Sequence, residues 1–320
     1  MKRFNLNLIL TALSIVFAGN TALAYDANFD VNLPIPAGEN AVKYLNIQYI
    51  PLDQNDSNKV DFNETNVQST LPQLRQHIQN TTINGTKYLG MGSQYKGHNN
   101  ASTNTPYLQY TQHGNTVEHL KKIPTSSYSA GLHNGIPTFY PDYSQILSQA
   151  ELGYNICDLV DNQGVKQIYV WGYHWSNITP MESNMSMGST SSAYFNHGTY
   201  GDVSNSYHQD DLPQCNNTYT LFNYNYLGGE NQFLENHTHQ LEWLYNYLDR
   251  YTPPHFQDKH QDSLFWAKFV GSNPFDTTLT ANPRRCGWTH YPPNGVQDYD
   301  WINTNAVYSD CNNWDPDGPG

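Results

Sequence analysis

The chain has 320 residues, with 15 Lys or Arg against 28 Asp or Glu, so its formal net charge at pH 7 is −13. This balance argues against a nucleic-acid or polybasic membrane-surface role, because no cationic excess is present to replace phosphate counterions. Only 13% of the residues are charged, while 25 Tyr, 12 Phe and 7 Trp supply large side chains for burial. The composition therefore predicts a folded protein and excludes a typical disordered one.

The first 24 residues have the features of a secretory signal peptide. Lys2 and Arg3 precede an apolar stretch from Leu8 to Ala18, and residues 22–24 form a small-x-small cleavage site. The apolar stretch is shorter than the roughly 20 residues that a membrane-spanning helix needs. We therefore predict a signal peptide at 1–24, a secreted or periplasmic protein and no membrane contact after signal removal.

Export makes the four cysteines expected disulfide partners, and four cysteines allow three pairings. We predict Cys286–Cys311, because it closes a short Pro- and Asn-rich segment that could not hold itself by a core. Cys157–Cys215 is then the second disulfide. A metal site is the alternative, but no C-x-x-C spacing is present.

The pattern of apolar residues predicts alternating strands and helices. In chain order these are a strand at 43–50, a helix at 71–78, a loop at 81–105, a hairpin of 107–110 with 116–123 around His113-Gly114-Asn115, a helix at 143–160, a buried strand at 168–171, a strand at 219–226, and helices at 230–248 and 263–270. Helix, glycine turn and buried strand in succession are typical of a β-α-β layout. We therefore predict an α/β fold: a single domain over 25–320 around a mixed, partly parallel sheet, with helices, long irregular loops and a disulfide-tied C-terminal segment.

One face of the predicted helix 230–248 carries Glu235, His239 and Glu242. Their i, i+4, i+7 spacing brings the side chains together, as metal ligands or a His with an orienting carboxylate require. A solvated polar face is the alternative. His237 lies on the apolar side and is expected to be a hydrogen-bonded core histidine.

Two further His-containing stretches could meet this helix. His174 and then Glu182 follow the buried strand 168–171, on the side where α/β sheets place ligands. His290 lies in a Cys-Gly-Trp-Thr-His segment that Pro292 and Pro293 stiffen. The predicted catalytic residues are Glu182, His239, Glu242 and His290, and the predicted ligands of a divalent metal are His174, His239 and Glu235. Local structural roles for each His remain the alternative.

A calcium loop is a lesser prediction for residues 53–64. Asp53, Asn55, Asp61 and Glu64 place oxygen atoms at loop positions 1, 3, 9 and 12. Asn58 replaces the turn glycine, and a strand rather than a helix precedes the loop.

The motifs in residues 142–315 resemble a family of bacterial exported proteins for which no activity is established. They are Glu182-Ser183-Asn184-Met185, Phe222-Asn223-Tyr224, His239-Gln240-Leu241-Glu242, Cys286-Gly287 with His290, Pro293-Asn294, Asp298-Tyr299-Asp300-Trp301, Ser309-Asp310-Cys311 and Trp314. The family has Gly before the helix His, whereas this chain has Thr238. The resemblance therefore includes the three stretches that contain Glu182, His239 with Glu242, and His290, and it implies no activity.

Two function classes follow from these residues. An exported hydrolase would use the His and carboxylate groups, with or without a metal, to activate water against a glycan or peptide. A non-catalytic glycan-binding or host-surface protein would use the many Tyr, Trp, Asn and Asp residues instead. The serine-hydrolase elbow, the H-E-x-x-H zinc motif and the phosphate-binding glycine loops are absent from the sequence. The oligomeric state is left open.

Overall fold

The computed structural model describes residues 40–94, 106–174, 177–186 and 212–251, and towards the C-terminus residues 269–273, 276–280, 285–288, 292–297, 300 and 302–311. The strands are β1 (Asn40–Tyr49), β2 (Leu108–Gln112), β3 (Val117–His119), β4 (Thr125–His133), β5 (Ile136–Pro141), β6 (Val165–Gly172), β7 (Ser183–Met185), β8 (Thr220–Asn225), β9 (Ser272–Asn273) and β10 (Asp276–Thr280). The helices are α1 (Phe62–Thr65), α2 (Leu71–Gly92), α3 (Tyr143–Ile146), α4 (Gln149–Leu152), α5 (Ile156–Asp161) and α6 (Glu230–Tyr251). The predicted signal peptide lies outside the described residues. In the part of the chain that is described, no helix combines the length and hydrophobicity of a bilayer crossing.

The main sheet is mixed and partly parallel, as predicted. Its strand order is β2-β1-β6-β8-β7, and β3 also pairs with β1. β1 runs parallel to β2, β3 and β6, β6 runs parallel to β8, and β7 is antiparallel to β8. The carboxyl ends of β1, β6 and β8 therefore share one edge. The chain moves outward in opposite directions from β1 and β6, which makes their boundary a topological switch point.

Helices cover both faces of this sheet. Successive side chains along each strand point to opposite faces, so each face has side chains that pack against a helix. On one face Tyr169 of β6 packs edge-on against Phe233 of α6, with ring centroids 5.3 Å apart. On the other face Asn223 Nδ2 of β8 donates to the hydroxyl of Tyr143 in α3 at 2.9 Å. The core is correspondingly aromatic, and Trp171 and Tyr224 are almost fully buried.

Helix α2 is longer than predicted, and the predicted loop is wrong for residues 81–92. Thr70 caps its start through a capping box with Gln73. Beyond residue 80 the helix contains Thr, Asn and Gly, which have weak helix propensity. Asn84 Nδ2 bonds Glu230 Oε1 of α6 at 3.0 Å, and the Thr82 hydroxyl bonds the Ile78 carbonyl at 2.8 Å. Packing against α6 therefore overrides the local preference.

Gly85 lets α2 approach α6 closely, because a Cβ atom there would overlap the ring of Phe233. We expect Gly85→Ala to lower the free energy of unfolding by about 1–3 kcal/mol through overpacking, despite the better helix propensity of Ala. Urea denaturation measures this change. The matched control is Gly92→Ala in the same helix, where an added Cβ meets no atom within 4 Å. Equal stability of the two variants would contradict this packing account.

The predicted hairpin of residues 107–110 and 116–123 is wrong. β2 and β3 both run parallel to β1, β2 along its first half and β3 along its last residues. The turn at Gly114 (φ 60°) interrupts this edge without reversing the chain. A true hairpin follows instead, in which Asn134 and Gly135 with φ of 50° and 80° connect β4 to β5.

The predicted helix 143–160 is divided into α3, α4 and α5. Ser148 caps the start of α4, and Gly153 ends it in the left-handed region with φ 74°. Asn155 then caps α5 by accepting from the backbone of Cys157 at 2.9 Å. Short polar side chains that cap helices therefore outweigh the continuous apolar stripe. The predicted helix at 263–270 lies outside the described residues apart from Phe269 and Val270.

Both predicted disulfides are present. Cys157–Cys215 connects α5 with the segment that leads into β8, and Cys286–Cys311 closes the C-terminal segment. The Trp288 indole donates to the Thr238 carbonyl of α6 at 3.3 Å. The disulfide-tied segment is therefore attached to α6 one residue before His239. The two disulfides indicate an oxidising, non-cytoplasmic location.

Candidate active site

Glu182 and His239 meet, although 57 residues separate them. Glu182 lies immediately before β7, and its carbonyl accepts from the Asn223 amide of β8 at 3.1 Å. α6 follows β8 and runs back along it, which brings His239 into contact with Glu182. Its Nδ1 donates to Glu182 Oε2. The predicted convergence of Glu182 and His239 is therefore seen in the structure, and their catalytic role stays a prediction.

Glu235 and Glu242 complete what we call the Glu182–His239 cluster, which consists of Glu182, Glu235, His239 and Glu242. Burial acts to lower the pKa of His239, but the hydrogen bond and charge of Glu182, with the charges of Glu242 and Glu235, raise it above its ordinary value. His239 and Glu242 are buried, so a solvated polar face is the wrong interpretation for them. The side chain of Glu182 remains 37% exposed and can be reached from solvent.

Glu235 differs from Glu182 in its environment. Burial raises the pKa of Glu235, the charge of Glu182 raises it further, and the charge of His239 opposes both. Three carboxyl groups thus lie near one imidazole, and burial with the charge of Glu182 favours the protonated form of Glu235.

The two other described histidines of this region are neutral. Burial lowers the pKa of His174 to about 4 against the opposing charge of Glu182, and its Nε2 has no hydrogen-bond partner in the described part of the chain. His237 is the core histidine that the sequence predicts. Its Nδ1 lies 3.0 Å from the Phe233 carbonyl, its ring stacks on Phe222 at 4.0 Å, and burial lowers its pKa to about 4.

His290 lies outside the described residues, so its catalytic role stays a prediction. Trp288, two residues earlier, is described and bonds Thr238 of α6. Its ring also meets the edge of Tyr245, with centroids 6.5 Å apart. The described part of this segment, at Trp288, is therefore attached to α6 one residue before His239.

The described residues contain one group of three His, Cys, Asp or Glu ligand atoms that lie within 4.8 Å of one another: Cys157, Asp161 and Cys215. Its two sulfurs are joined in a disulfide, so they do not offer the thiolates that a metal binds. The predicted metal ligands stay a prediction: His174, His239 and Glu235. The acid–base mechanism proposed below does not require a metal ion bound by these three residues.

The predicted calcium ligands have other contacts. Asp53 accepts from the backbone of Asn55 at 2.7 Å, and Asp61 caps α1. Glu64 forms an ion pair with Lys122. Calcium binding by Asp53, Asn55, Asp61 and Glu64 therefore stays a prediction, and a cation would have to compete with these contacts.

Sequence reasoning missed a second charged group, which lies near the carboxyl ends of β1 and β3. We call it the strand-end cluster; its ion pairs are Glu64–Lys122, Glu118–Arg75 and Glu151–Lys121. Each carboxylate has a cation of its own, so the charges of these three ion pairs are balanced. A signal was present in the sequence: Glu118-His119-Leu120-Lys121-Lys122 places opposite charges directly at a strand end.

Comparisons of the chain with protein-family models, with curated proteins and with solved structures found no match. Functional inference therefore depends on the chemistry of the sites themselves. The excess of carboxyl groups over cations distinguishes the Glu182–His239 cluster from the strand-end cluster. Perturbed protonation of this kind is typical of functional sites.

Proposed function

We propose that this protein is an exported hydrolase that cleaves a glycan by acid–base catalysis at the Glu182–His239 cluster. The observation that carries the proposal is the contact of Glu182 with His239 beside two further carboxyl groups. Hydrolysis needs one group that accepts a proton from water and another that donates a proton to the leaving group. Glu182 and Glu235 have environments that suit these two roles.

Glu182 is the base, since its imidazolium partner stabilises the ionised carboxylate. It removes a proton from water while the water oxygen bonds to the sugar carbon. Glu235 is the acid, and it gives its proton to the glycosidic oxygen as the bond from that oxygen to the carbon breaks. Glu182 then releases its proton to solvent and Glu235 regains one. His239 and Glu242 act as positioning residues for Glu182.

A glycan fits this site better than a peptide because of the aromatic side chains on the same helix. Trp243 follows Glu242 directly and is 41% exposed, and Tyr245 is 38% exposed beside Trp288. Exposed aromatic faces of this kind suit stacking on sugar rings. A peptide substrate stays the alternative and is included in the test below.

The same aromatic side chains favour a second candidate function, which is glycan binding without catalysis. In that case Trp243 would be needed for binding, and the carboxyl groups of the cluster would support the fold. Loss of binding in Trp243→Ala, together with no bond cleavage by the wild type, would identify this function.

The Glu235→Gln variant tests the catalytic proposal. Activity of the wild type should fall as pH rises through the raised pKa of Glu235, because the acid must be protonated. Glutamine cannot donate this proton, so we expect at least about a 100-fold loss of turnover with binding retained. Reducing-end release from soluble polysaccharides and hydrolysis of p-nitrophenyl glycosides, measured across pH, give the profile, and casein cleavage tests the peptide alternative.

The matched control is Asn231→Ala, which changes an exposed side chain one turn earlier on α6. This variant should keep the wild-type pH profile. A wild-type protein that binds polysaccharide but cleaves no glycoside and no casein would reject the hydrolase in favour of the binding function.

A further inference from the structure

The chain contains three Asn-Gly pairs, a dipeptide in which the asparagine can lose its side-chain amide without an enzyme. The pairs are Asn84-Gly85, Asn134-Gly135 and Asn294-Gly295. The backbone nitrogen of the glycine attacks the side-chain carbonyl carbon of the asparagine, and glycine permits this approach best because it has no Cβ atom. The reaction therefore requires a glycine amide that is free to move and an asparagine side chain that is free to turn.

Two of these pairs are held by their surroundings. Asn84-Gly85 is buried within α2, and the Asn84 side chain donates to Glu230 Oε1 at 3.0 Å. The Gly295 amide donates to the Pro292 carbonyl at 2.7 Å. The Asn294 side chain donates to the Asn305 carbonyl at 3.2 Å. A glycine nitrogen in a helix ladder, or bonded to a carbonyl, must break that contact before it can attack.

The third pair, Asn134-Gly135, forms the turn between β4 and β5, and both of its residues are exposed. His133 and Ile136 form the last pair of the strand ladder, so the Gly135 amide lies beyond that ladder. Exposed loops open at a much lower cost in free energy than packed helices. Of the three pairs, this one is therefore the closest to a reactive conformation.

His133 places a proton donor beside the group that leaves. Its Nε2 lies 3.2 Å from Asn134 Nδ2. The side-chain nitrogen must gain a proton in order to depart as ammonia, and an imidazole in contact with it is suited to supply that proton. The side-chain nitrogens of Asn84 and Asn294 instead donate to oxygen atoms. The fold therefore gives Asn134 a second advantage over the other two asparagines.

We propose that Asn134 is a site of spontaneous deamidation, with His133 as the proton donor to the departing nitrogen. The Gly135 nitrogen bonds to Asn134 Cγ, the Cγ–Nδ2 bond breaks, and ammonia leaves behind a five-membered succinimide ring. The Gly135 proton passes to solvent, and His133 regains one. Water then opens the ring at either carbonyl and yields aspartate or isoaspartate. Either product adds a negative charge to the turn, and the proposal does not depend on the proposed function.

Peptide mapping of the full-length wild type by mass spectrometry tests the proposal, after several weeks at neutral pH and physiological temperature. We expect Asn134 to deamidate at least about tenfold faster than Asn84 or Asn294, because those two must first leave packed structure. The control is the same chain reduced and unfolded in urea, where the three pairs should react at similar rates. An intact Asn134, equal rates in the folded chain, or the same preference in the unfolded chain would overturn selection by the fold.

The His133→Leu variant tests the proton donor. In the folded variant Asn134 should deamidate several-fold more slowly than in the wild type, whereas the rate in urea should not change, because unfolding removes the contact. His113→Leu alters a histidine between β2 and β3 and is the matched control, which should keep the wild-type rate. Circular dichroism shows whether each variant stays folded. Equal rates in folded His133→Leu and the folded wild type would remove His133 from the reaction.

Discussion

The Glu182→Gln variant is expected to fold normally and to lose glycan hydrolysis by a factor of about 10²–10⁴. Glutamine keeps the size of the side chain and can still bond His239, but it cannot accept a proton from water. The loss should appear in turnover rather than in substrate binding, because the amide preserves most contacts. Reducing-end release at saturating polysaccharide, together with binding measured on the same substrate, separates the two quantities.

Asp56→Asn is the matched control for this variant. The Asp56 side chain is 38% exposed, against 37% for Glu182, and it forms an ion pair with Lys59. Asp56 lies outside the Glu182–His239 cluster, so its variant should keep full activity. Equal activity of Glu182→Gln and the wild type would remove Glu182 from the catalytic role.

The Cys157→Ala/Cys215→Ala double variant is expected to lose about 4 kcal/mol of unfolding free energy. The disulfide joins residues 58 positions apart, and the chain-entropy model gives this magnitude for a loop of that length. The loss corresponds to a fall in melting temperature of roughly 6 °C for a chain of this size, since the unfolding entropy is about 2.1 cal/mol/K per residue. Urea denaturation and thermal unfolding under oxidising conditions measure the two quantities.

Reduction provides the control for the disulfide. Dithiothreitol should lower the melting temperature of the wild type towards that of the double variant, and a smaller change in the variant would come from the Cys286–Cys311 bond alone. A loss below about 1 kcal/mol in the double variant would show that side-chain packing, not the covalent link, holds the start of β8 in place.

The α/β class could be predicted because strong apolar runs separate the central strands. The predictions at 168–171 and 219–226 are confirmed by β6 and β8, which are buried on both sides. The pairing of β2 and β3 could not be predicted, since their alternating sequences suit a hairpin as well as an edge beside β1. Long-range partners decide such cases. The second half of α2 was missed for the same reason, because its contacts to α6 are distant in sequence.

The Glu182–His239 cluster was predictable in part because helix periodicity groups Glu235, His239 and Glu242, and strand ends direct side chains to one side of the sheet. The strand-end cluster was not predictable as a unit. Arg75 reaches Glu118 across 43 residues, and Lys121 reaches Glu151 across 30. No local pattern specifies which distant cation neutralises a given carboxylate. Charge balance could therefore be judged only from the structure.

A histidine NMR titration tests the central claim, that Glu182 and His239 act as a pair among excess carboxyl groups. The pKa of His239 should lie above its ordinary value in the wild type and fall in all three Glu→Gln variants. The fall should be largest for Glu182→Gln, smaller for Glu242→Gln and smallest for Glu235→Gln, since their contributions to the pKa follow this order. A wild-type pKa at or below the ordinary value, unchanged by Glu182→Gln, would contradict the pair and the catalytic proposal that depends on it.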